Sequence, residues 1–168
     1  MTSSNYRMWV TIDDPKRCPD CKRLHGKIYH RREPIKPKQP LHPFCRCWIT
    51  RLRALLAGTA TAQGQSGADW WLKSKRELPP YYISEQEAEK RGWDSELGNL
   101  HTACLGKMLA RGEYHNKNGH LPSVPGRIWY EADINYQQGY RGLSRILYSN
   151  DGLIFVTYDH HRTFIEIV

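Results

Sequence analysis

Hydrophobic residues in the last quarter of the chain fall in short runs that are separated by polar and turn-forming residues, as in the strands of a sheet. Four such runs, at 128–134, 145–149, 153–158 and 163–168, are rich in β-branched and aromatic residues. Asn150 begins an Asn-Asp-Gly turn between the second and third runs, which is typical of a hairpin. The pattern predicts an antiparallel meander.

The region before these strands carries the start signals of short helices. Asp69 is placed to cap a helix over 70–78, and Ser84 opens a helix over 84–91 through a Ser-x-x-Glu box. A third short helical stretch is expected to begin near 98–100. Helices followed by antiparallel strands predict an α+β domain, with the short helices packed on the sheet.

The first third of the chain has a different character. Residues 1–53 are basic and repeatedly interrupted by proline, which predicts loops and short strands. Residues 54–68 are mostly small or polar and carry no charge, a composition typical of a linker. We therefore expect a small N-terminal module over 1–53, a linker over 54–68 and the α+β domain over 69–168.

Charge separates the same two parts. Residues 1–57 hold 13 Lys and Arg against 4 Asp and Glu, whereas the remainder holds 12 against 13. Such an asymmetry predicts two modules with different partners. The N-terminus lacks the apolar run of a signal peptide, and no stretch is long enough to cross a membrane. We expect synthesis in the cytoplasm and no membrane partner.

Four of the five cysteines lie in the N-terminal module, in two close groups. Cys18 and Cys21 form the first group, and His42 and Cys45 form the second, with Cys47 as a substitute for His42. Paired Cys and His ligands suit tetrahedral zinc, which would supply folding energy that a proline-broken segment lacks. The alternatives are free thiols or a redox Cys-x-x-Cys pair.

Polar residues interrupt the apolar strand region at places that suit chemistry. Glu131 lies inside the first run, and Arg141 and Arg145 lie four apart around a turn. His160 follows the third run. Metal-independent cleavage of RNA needs such groups: a base for the 2′-hydroxyl, an acid for the leaving 5′-oxygen, and positive charge for the phosphorane between them. The alternative is a set of ordinary ion pairs between strands.

The same region resembles a known family. Residues 126–141 read Gly-Arg-Ile-Trp-Tyr-Glu-Ala-Asp-Ile-Asn-Tyr-Gln-Gln-Gly-Tyr-Arg and are similar to the core of barnase and its guanyl-specific relatives. Residues 145–149 and 157–160 continue the similarity. The resemblance extends over about 69–168 and implies the fold of the microbial ribonucleases.

Roles follow from this resemblance, position by position. It implies that Glu131 is the general base and His160 the general acid, with no cofactor for catalysis. Arg141 and Arg145 match the two arginines that hold the scissile phosphate.

The resemblance also implies residues that contact the substrate. Loop 114–118 matches the segment that reads guanine, with Asn116 shaping its turn and Lys117 beside it. His161 stands where the family has a Tyr that stacks near the base.

Three positions depart from the family pattern. Glu85 replaces an active-site lysine, Gly112 replaces an Asp near that lysine, and Asn118 replaces a Glu that contacts the base. These changes bear on base preference and turnover more than on the type of reaction. The candidates to restore positive charge near the phosphate are Lys107, Arg111 and Lys117.

The N-terminal module resembles a second family. Its Cys-x-x-Cys and His-Pro-x-Cys-Arg-Cys motifs, within residues 14–47, are similar to the C-terminal end of phage Mu protein F-like minor head proteins. The resemblance covers about 7–53. In prophages such proteins are often fused to toxin domains.

Together the resemblances imply a toxin-type endoribonuclease with guanyl preference, delivered by phage or secretion machinery to the cytoplasm of a target cell. It would cleave single-stranded RNA to a 2′,3′-cyclic phosphate. An arginine-lined site also binds carboxylates, so an acidic, barstar-like immunity protein is the expected partner. The alternative is a phage head-associated zinc protein with a degenerate nuclease fold, which Glu85 and Gly112 favour.

Overall fold

Two sheets and a few short helices form the structure, a computed structural model that describes residues 3–168. The strands are β1 (Tyr6–Thr11), β2 (Ile28–His30), β3 (Cys47–Arg51), β4 (Arg53–Leu55), β5 (Tyr82–Ser84), β6 (Met108–Tyr114), β7 (Trp129–Asp133), β8 (Arg145–Ser149), β9 (Ile154–Thr157) and β10 (Ile165–Ile167). The helices are α1 (Pro19–Leu24), α2 (Ala68–Lys75), α3 (Glu85–Lys90) and α4 (Leu100–Ala103). Within this described range no helix has the length and apolar character that crossing a membrane requires.

The N-terminal module is built on a three-stranded antiparallel sheet, with β1 between β2 and β3. Helix α1 follows β1 and starts with Pro19, whose missing N–H is not needed in a first helical turn. The sulfur of Cys18 caps this helix by accepting a hydrogen bond from the Cys21 N–H. The remainder of the module consists of loops and short strands, as the prolines predict.

The second sheet has seven strands in the order β4-β10-β9-β8-β7-β6-β5. Strands β6 to β10 are antiparallel to one another in sequence order, whereas the pairs β4–β10 and β5–β6 at the two edges are parallel. Helix α2 covers one face of this sheet, where Ala68 and Leu72 pack with Ile146 and Val156. The predicted α+β fold is confirmed.

The sequence pattern locates most of these elements but not all. Strands β7 to β10 lie within the four predicted runs, and the turn at Asn150 is present, with the Gly152 N–H donating to the Ser149 carbonyl at 3.2 Å. Strands β4, β5 and β6 were not predicted. In β6 a bulge between Ala110 and Gly112 breaks the alternation that marks a strand.

The segment 54–68 is folded, although its composition is that of a linker. Its first residues belong to β4, which pairs with β10. Asp69 does not cap α2, because Gly67 is the capping residue; its buried carboxylate instead accepts hydrogen bonds from Gly58 N–H at 2.7 Å and Ala60 N–H at 3.0 Å. These bonds hold the segment against the start of α2, so it is part of the folded body and not a free connection.

The N-terminal module packs on the face of the large sheet opposite α2. Met8, Ile28 and Leu52 from the module share one buried cluster with Leu147 and Phe155 from the sheet. Backbone contacts reinforce this packing, since the Ile28 N–H donates to the carbonyl of His120 at 2.8 Å.

Gly26 lies where the two parts approach most closely. A Cβ atom there would lie 2.4 Å from the Arg162 carbonyl oxygen, and the residue has a φ of +88°. Only glycine tolerates both constraints.

Candidate active site

Glu131 lies in the middle of β7. Its side chain is on the face of the seven-stranded sheet that the N-terminal module covers elsewhere. Its cross-strand neighbours are Leu147 on β8 and Gly112 on β6. The residue is only 8% exposed, although a carboxylate prefers water. Gly112 adds no side chain beside it, so open space remains next to the carboxylate.

His161 holds one oxygen of this carboxylate. Its Nε2 lies 2.9 Å from Glu131 Oε2, and its ring stacks on Tyr114 at 5.3 Å between centroids and 10° between planes. The backbone N–H of His161 donates to Thr157 Oγ1 at 3.0 Å. The imidazole is therefore held by two contacts, and the backbone that carries it by a third.

His160 and His161 sit in a tight loop after β9. Both have positive φ, at 56° and 69°, which non-glycine residues adopt rarely. The Asp159 carboxylate ties the loop together, accepting hydrogen bonds from the side chains of Thr157 and Thr163 at 2.9 and 2.6 Å. The ring of His160 is exposed and lies 4.9 Å from that of His161, between centroids.

Two arginines lie on the other side of Glu131. Arg145 is buried at the start of β8, with Nε 3.8 Å from Glu131 Oε1 and 3.2 Å from Asp133 Oδ1. Arg141 donates from Nε and Nη2 to the two oxygens of Asp133, each at 2.6 Å. Asp133 therefore orients both guanidiniums, one through a two-pronged bond.

These neighbours set the protonation of Glu131 and His160. Burial opposes ionisation of Glu131, but the hydrogen bond and charge of His161, with Arg111 and Arg145, outweigh it and lower the pKa of this carboxyl. Burial, followed by the charges of His161 and Arg145, lowers the pKa of His160. Glu131 is thus ionised at neutral pH.

A cavity of about 370 Å³, here called the active-site cavity, opens beside Glu131. Its other walls are Arg111, Glu113, Tyr114 and the loop 115–118. Asn116 has a φ of 49°, and its side chain bonds both the N–H and the carbonyl of Leu121, at 3.0 and 2.9 Å. Lys117 is exposed in this wall.

Of the three candidate replacement cations, two line this cavity. Arg111 forms an ion pair with Glu85 and is one of the charges that lower the pKa of Glu131. Lys117 is the other. Lys107 lies elsewhere, in a separate cavity lined by Tyr81 among others.

The structure thus brings Glu131, His160, His161, Arg141 and Arg145 together. Sequence reasoning missed Asp133 and gave Tyr114 no role of its own. Asp133 stands two residues from Glu131, and this spacing places both acids on one face of a strand, a signal that was available.

The Cys and His residues of the N-terminal module also converge. Cys18 Sγ lies 3.2 Å and Cys21 Sγ 3.4 Å from His42 Nε2, and Cys45 Sγ lies 3.9 Å from Cys21 Sγ. Cys47 joins Cys21 and Cys45 in a second group of close donors. Ligands at about 2.3 Å in a tetrahedron are about 3.8 Å apart, and the distances between these donors are close to that value. The close donors form two groups that share Cys21, one with Cys18 and His42 and the other with Cys45 and Cys47.

The pKa values of Cys18 and Cys45 are lowered, which suits a metal ligand, whereas burial and the neighbouring thiols raise the pKa of Cys21. Burial opposes ionisation of Cys45, yet hydrogen bonds from the backbone of Leu41 and Cys47 and from neighbouring thiols lower its pKa to about 7. Arg46, next in the chain, is held by two bonds to Asp14, at 2.6 and 2.7 Å. The cluster is therefore anchored to the loop that follows β1.

Comparisons with known proteins agree with both parts. A ribonuclease of Heyndrickxia coagulans is 44% identical over 100 residues, which cover 60% of this chain and 91% of that protein. Ribonucleases of Bacillus intermedius and Bacillus pumilus are also 44% identical over 100 residues, but the chain spans only 61% of their length.

Two family models match the chain in separate ranges. Residues 2–50 match the model described as phage Mu protein F-like protein. Residues 65–168, more than half of the chain, match the ribonuclease model, and this range contains every residue of the candidate active site. The chain therefore belongs to the ribonuclease family and is an endoribonuclease.

Proposed function

We propose that this endoribonuclease cleaves single-stranded RNA by transesterification without a catalytic metal. The observation that carries the proposal is the environment of Glu131: a buried carboxylate, with a lowered pKa, that faces a cavity and has cations on both sides. A buried carboxylate kept ionised in this way is suited to accept a proton.

The reaction proceeds in one displacement. The Glu131 carboxylate accepts the proton of a ribose 2′-hydroxyl, whose oxygen attacks the adjacent phosphorus. The bond from phosphorus to the 5′-oxygen breaks, and the His160 imidazolium gives its proton to that oxygen. The products are a 2′,3′-cyclic phosphate and a free 5′-hydroxyl. Because His161 holds Oε2 of Glu131, Oε1 is the atom that receives the proton.

Positive charge around Glu131 stabilises the phosphorane. Arg145 is the nearest guanidinium, and Arg141 is held beside it by Asp133. Arg111 borders the same cavity from β6, so it supplies the charge that Glu85 cannot. Glu85 then acts as the partner that holds Arg111, which makes an inverted charge at position 85 compatible with catalysis.

The active-site cavity is the proposed site of the base on the 5′ side of the cut. Its size and the stacked pair of Tyr114 and His161 suit a planar purine. Guanyl preference rests on the backbone of loop 115–118, whose shape Asn116 maintains. Asn118 is engaged within the loop, since its Oδ1 accepts the His120 N–H at 3.0 Å.

We infer that the N-terminal module holds one structural zinc ion. Cys18, Cys21, His42 and Cys45 are the proposed ligands, with Cys47 within reach as a substitute for His42. The metal would join the start of α1 to the loop before β3, and it has no part in the cleavage chemistry.

The biological role proposed for the chain is that of a toxin. Its similarity to a phage head protein family supports delivery by a phage- or secretion-derived machine into the cytoplasm of a target cell. The arginines around Glu131 favour an acidic immunity protein that occupies the phosphate position. The same site makes a purely nucleic-acid-binding role the weaker candidate.

Substitution of Glu131 tests the proposal. Glu131→Gln keeps the shape of the side chain but cannot accept the proton, so the cleavage rate of a short RNA should fall on the order of 10²–10⁴-fold. Glu89→Gln, a matched change of an exposed glutamate on α3, should leave the rate unchanged. Equal rates for both variants would overturn the role of Glu131. A folded wild-type protein that binds RNA without cutting it would favour the binding role.

A further inference from the structure

A second groove meets the active site at His161, here called the module groove. It is a cavity of about 610 Å³ whose walls come from both parts of the chain. The N-terminal module contributes four lining residues, and the ribonuclease region contributes three. They are Asp13, Arg17, Lys22 and His25 from the module, and His120, His161 and Arg162 from the ribonuclease region.

The module groove carries net positive charge. Arg17, Lys22 and Arg162 face a single lining carboxylate, Asp13, which pairs with Arg17 at 2.8 Å and also with Arg162. Burial lowers the pKa of His25, so its imidazole is neutral at pH 7. Lys22 is exposed, and Arg162, whose side chain is 55% exposed, shares Asp13 with Arg17, so these four charged groups leave the groove with an excess of positive charge.

The groove also offers one uncharged hydrogen-bond donor. His25 Nδ1 accepts the Thr11 N–H at 3.1 Å, which leaves the proton on Nε2. His120 is fixed beside it, because its Nε2 bonds the carbonyl of Arg23 at 2.7 Å. A wall of fixed imidazoles between cations suits a chain of sugars and phosphates.

We propose that the module groove binds the RNA backbone beyond the scissile phosphate, so that the N-terminal module forms part of the substrate site. The inference rests on the proposed function, because it extends the RNA strand from Glu131 past His161. His161 bonds Glu131 in the active site and also lines the module groove. Lys22 and Arg162 would contact phosphates, while Asp13 competes with those phosphates for Arg17 and Arg162.

Binding to an uncleavable RNA tests the groove apart from the chemistry. The probe is a labelled octanucleotide with 2′-O-methylguanosine at the cleavage position, titrated with the full chain at several salt concentrations. Each lost phosphate contact should flatten the dependence of log affinity on log salt by about 0.7, so Lys22→Ala with Arg162→Ala should flatten it by roughly 1.4. Affinity itself should fall on the order of tenfold.

Two further variants make the result specific. Lys73→Ala with Lys90→Ala removes the same charge from exposed positions on α2 and α3 and should leave binding nearly unchanged. Asp13→Asn frees Arg17 and Arg162, and it should tighten binding of the octanucleotide. This gain cannot result from misfolding.

Cleavage of a guanosine-containing dinucleotide completes the test, because it is too short to reach the module groove. The Lys22 and Arg162 double variant should cleave it as fast as wild type but cleave a cleavable octanucleotide more slowly. Equal losses on both substrates, or wild-type binding by the double variant and by Asp13→Asn, would overturn the inference. If the variants change binding as expected but wild type cleaves neither substrate, the groove stands and the proposed chemistry fails.

Discussion

The ribonuclease region and the N-terminal module are each stabilised by different means. The ribonuclease region has its own cores, one between α2 and the sheet and another around Leu100 and Leu109. The N-terminal module has a small core of Trp9, Leu24 and Tyr29, a convergent Cys/His cluster, and an apolar face that is buried only against the other region. The module's own core is thus the smaller one, and the shared cluster buries an apolar face of each region.

This difference separates two kinds of contribution to function. All the residues proposed to transfer a proton or to stabilise the phosphorane lie in the ribonuclease region, on one sheet and its loops. The module supplies cover for the same sheet face and one wall of a groove. If that groove binds RNA as proposed, a part of the chain without catalytic groups contributes to substrate binding.

The largest expected effect on the cleavage rate comes from replacing one histidine of the ribonuclease region, with one histidine of the module replaced as the control. His160→Ala removes the proposed acid and should slow cleavage of a dinucleotide on the order of 10²–10⁴-fold. His30→Ala, on β2 of the module, should leave the rate unchanged. Initial rates at matched protein concentration measure both. Similar cleavage rates in the two variants would contradict the assignment of catalysis to the ribonuclease region alone.

The next effect concerns the shared core. Ile28→Ala opens a cavity between the module and the sheet, and it should lower the free energy of unfolding by about 3 kcal/mol. Ile12→Ala in the same module changes a residue that is 43% exposed and should cost less than about 0.5 kcal/mol.

Denaturant unfolding followed by tryptophan fluorescence distinguishes shared from separate units. A shared core predicts that Ile28→Ala shifts the unfolding of the whole chain. A ribonuclease transition that stays in place while a second transition moves would indicate two independent units. In that case residues 54–68 would connect two units that unfold independently, as the composition of the segment predicts.

Zinc content sharpens the contrast between the two regions. Protein purified without added metal should contain about one equivalent, and Cys21→Ser should lose it, since Cys21 is close to His42 and Cys45. Cys104→Ser, a buried cysteine of the ribonuclease region, should keep the metal. Elemental analysis decides the matter. Metal below about a tenth of an equivalent in wild type would contradict the site.

The sequence indicated which residues come together in the candidate active site better than it indicated the placement of the module. Glu131 and His160 lie within short motifs whose pattern is local, so a single chain is enough to propose them. Met8 and Ile28 are ordinary apolar residues, and nothing local marks partners such as Leu147. The packing of the module against the large sheet therefore could not be predicted from the sequence.

Long-range pairing also explains why the composition of 54–68 does not show its secondary structure. Strand β4 is a strand because β10, over a hundred residues later, pairs with it. Asp69 looked like a helix cap because caps and buried acceptors use the same residue type. Its true partners, Gly58 and Ala60, are set by the fold of the segment.

The smallest expected effect is a shift in pH dependence. The rate constant kcat/KM should rise as Glu131 loses its proton, at a pKa lowered from 4.5, and fall as His160 loses its proton, at a pKa lowered from 6.5. His161 lowers both pKa values. His161→Ala should therefore move both limbs of the profile to higher pH. Unchanged limbs would rule out its proposed electrostatic role.

The central claim is that Glu131 activates a ribose 2′-hydroxyl. The direct measurement compares two RNAs of identical sequence, one with guanosine and one with 2′-O-methylguanosine at a single cleavage position, in excess EDTA. The account predicts a 2′,3′-cyclic phosphate end from the first RNA and no cleavage at that position in the second. Equal cleavage of both RNAs, or a product with a simple phosphate end from its first appearance, would contradict it.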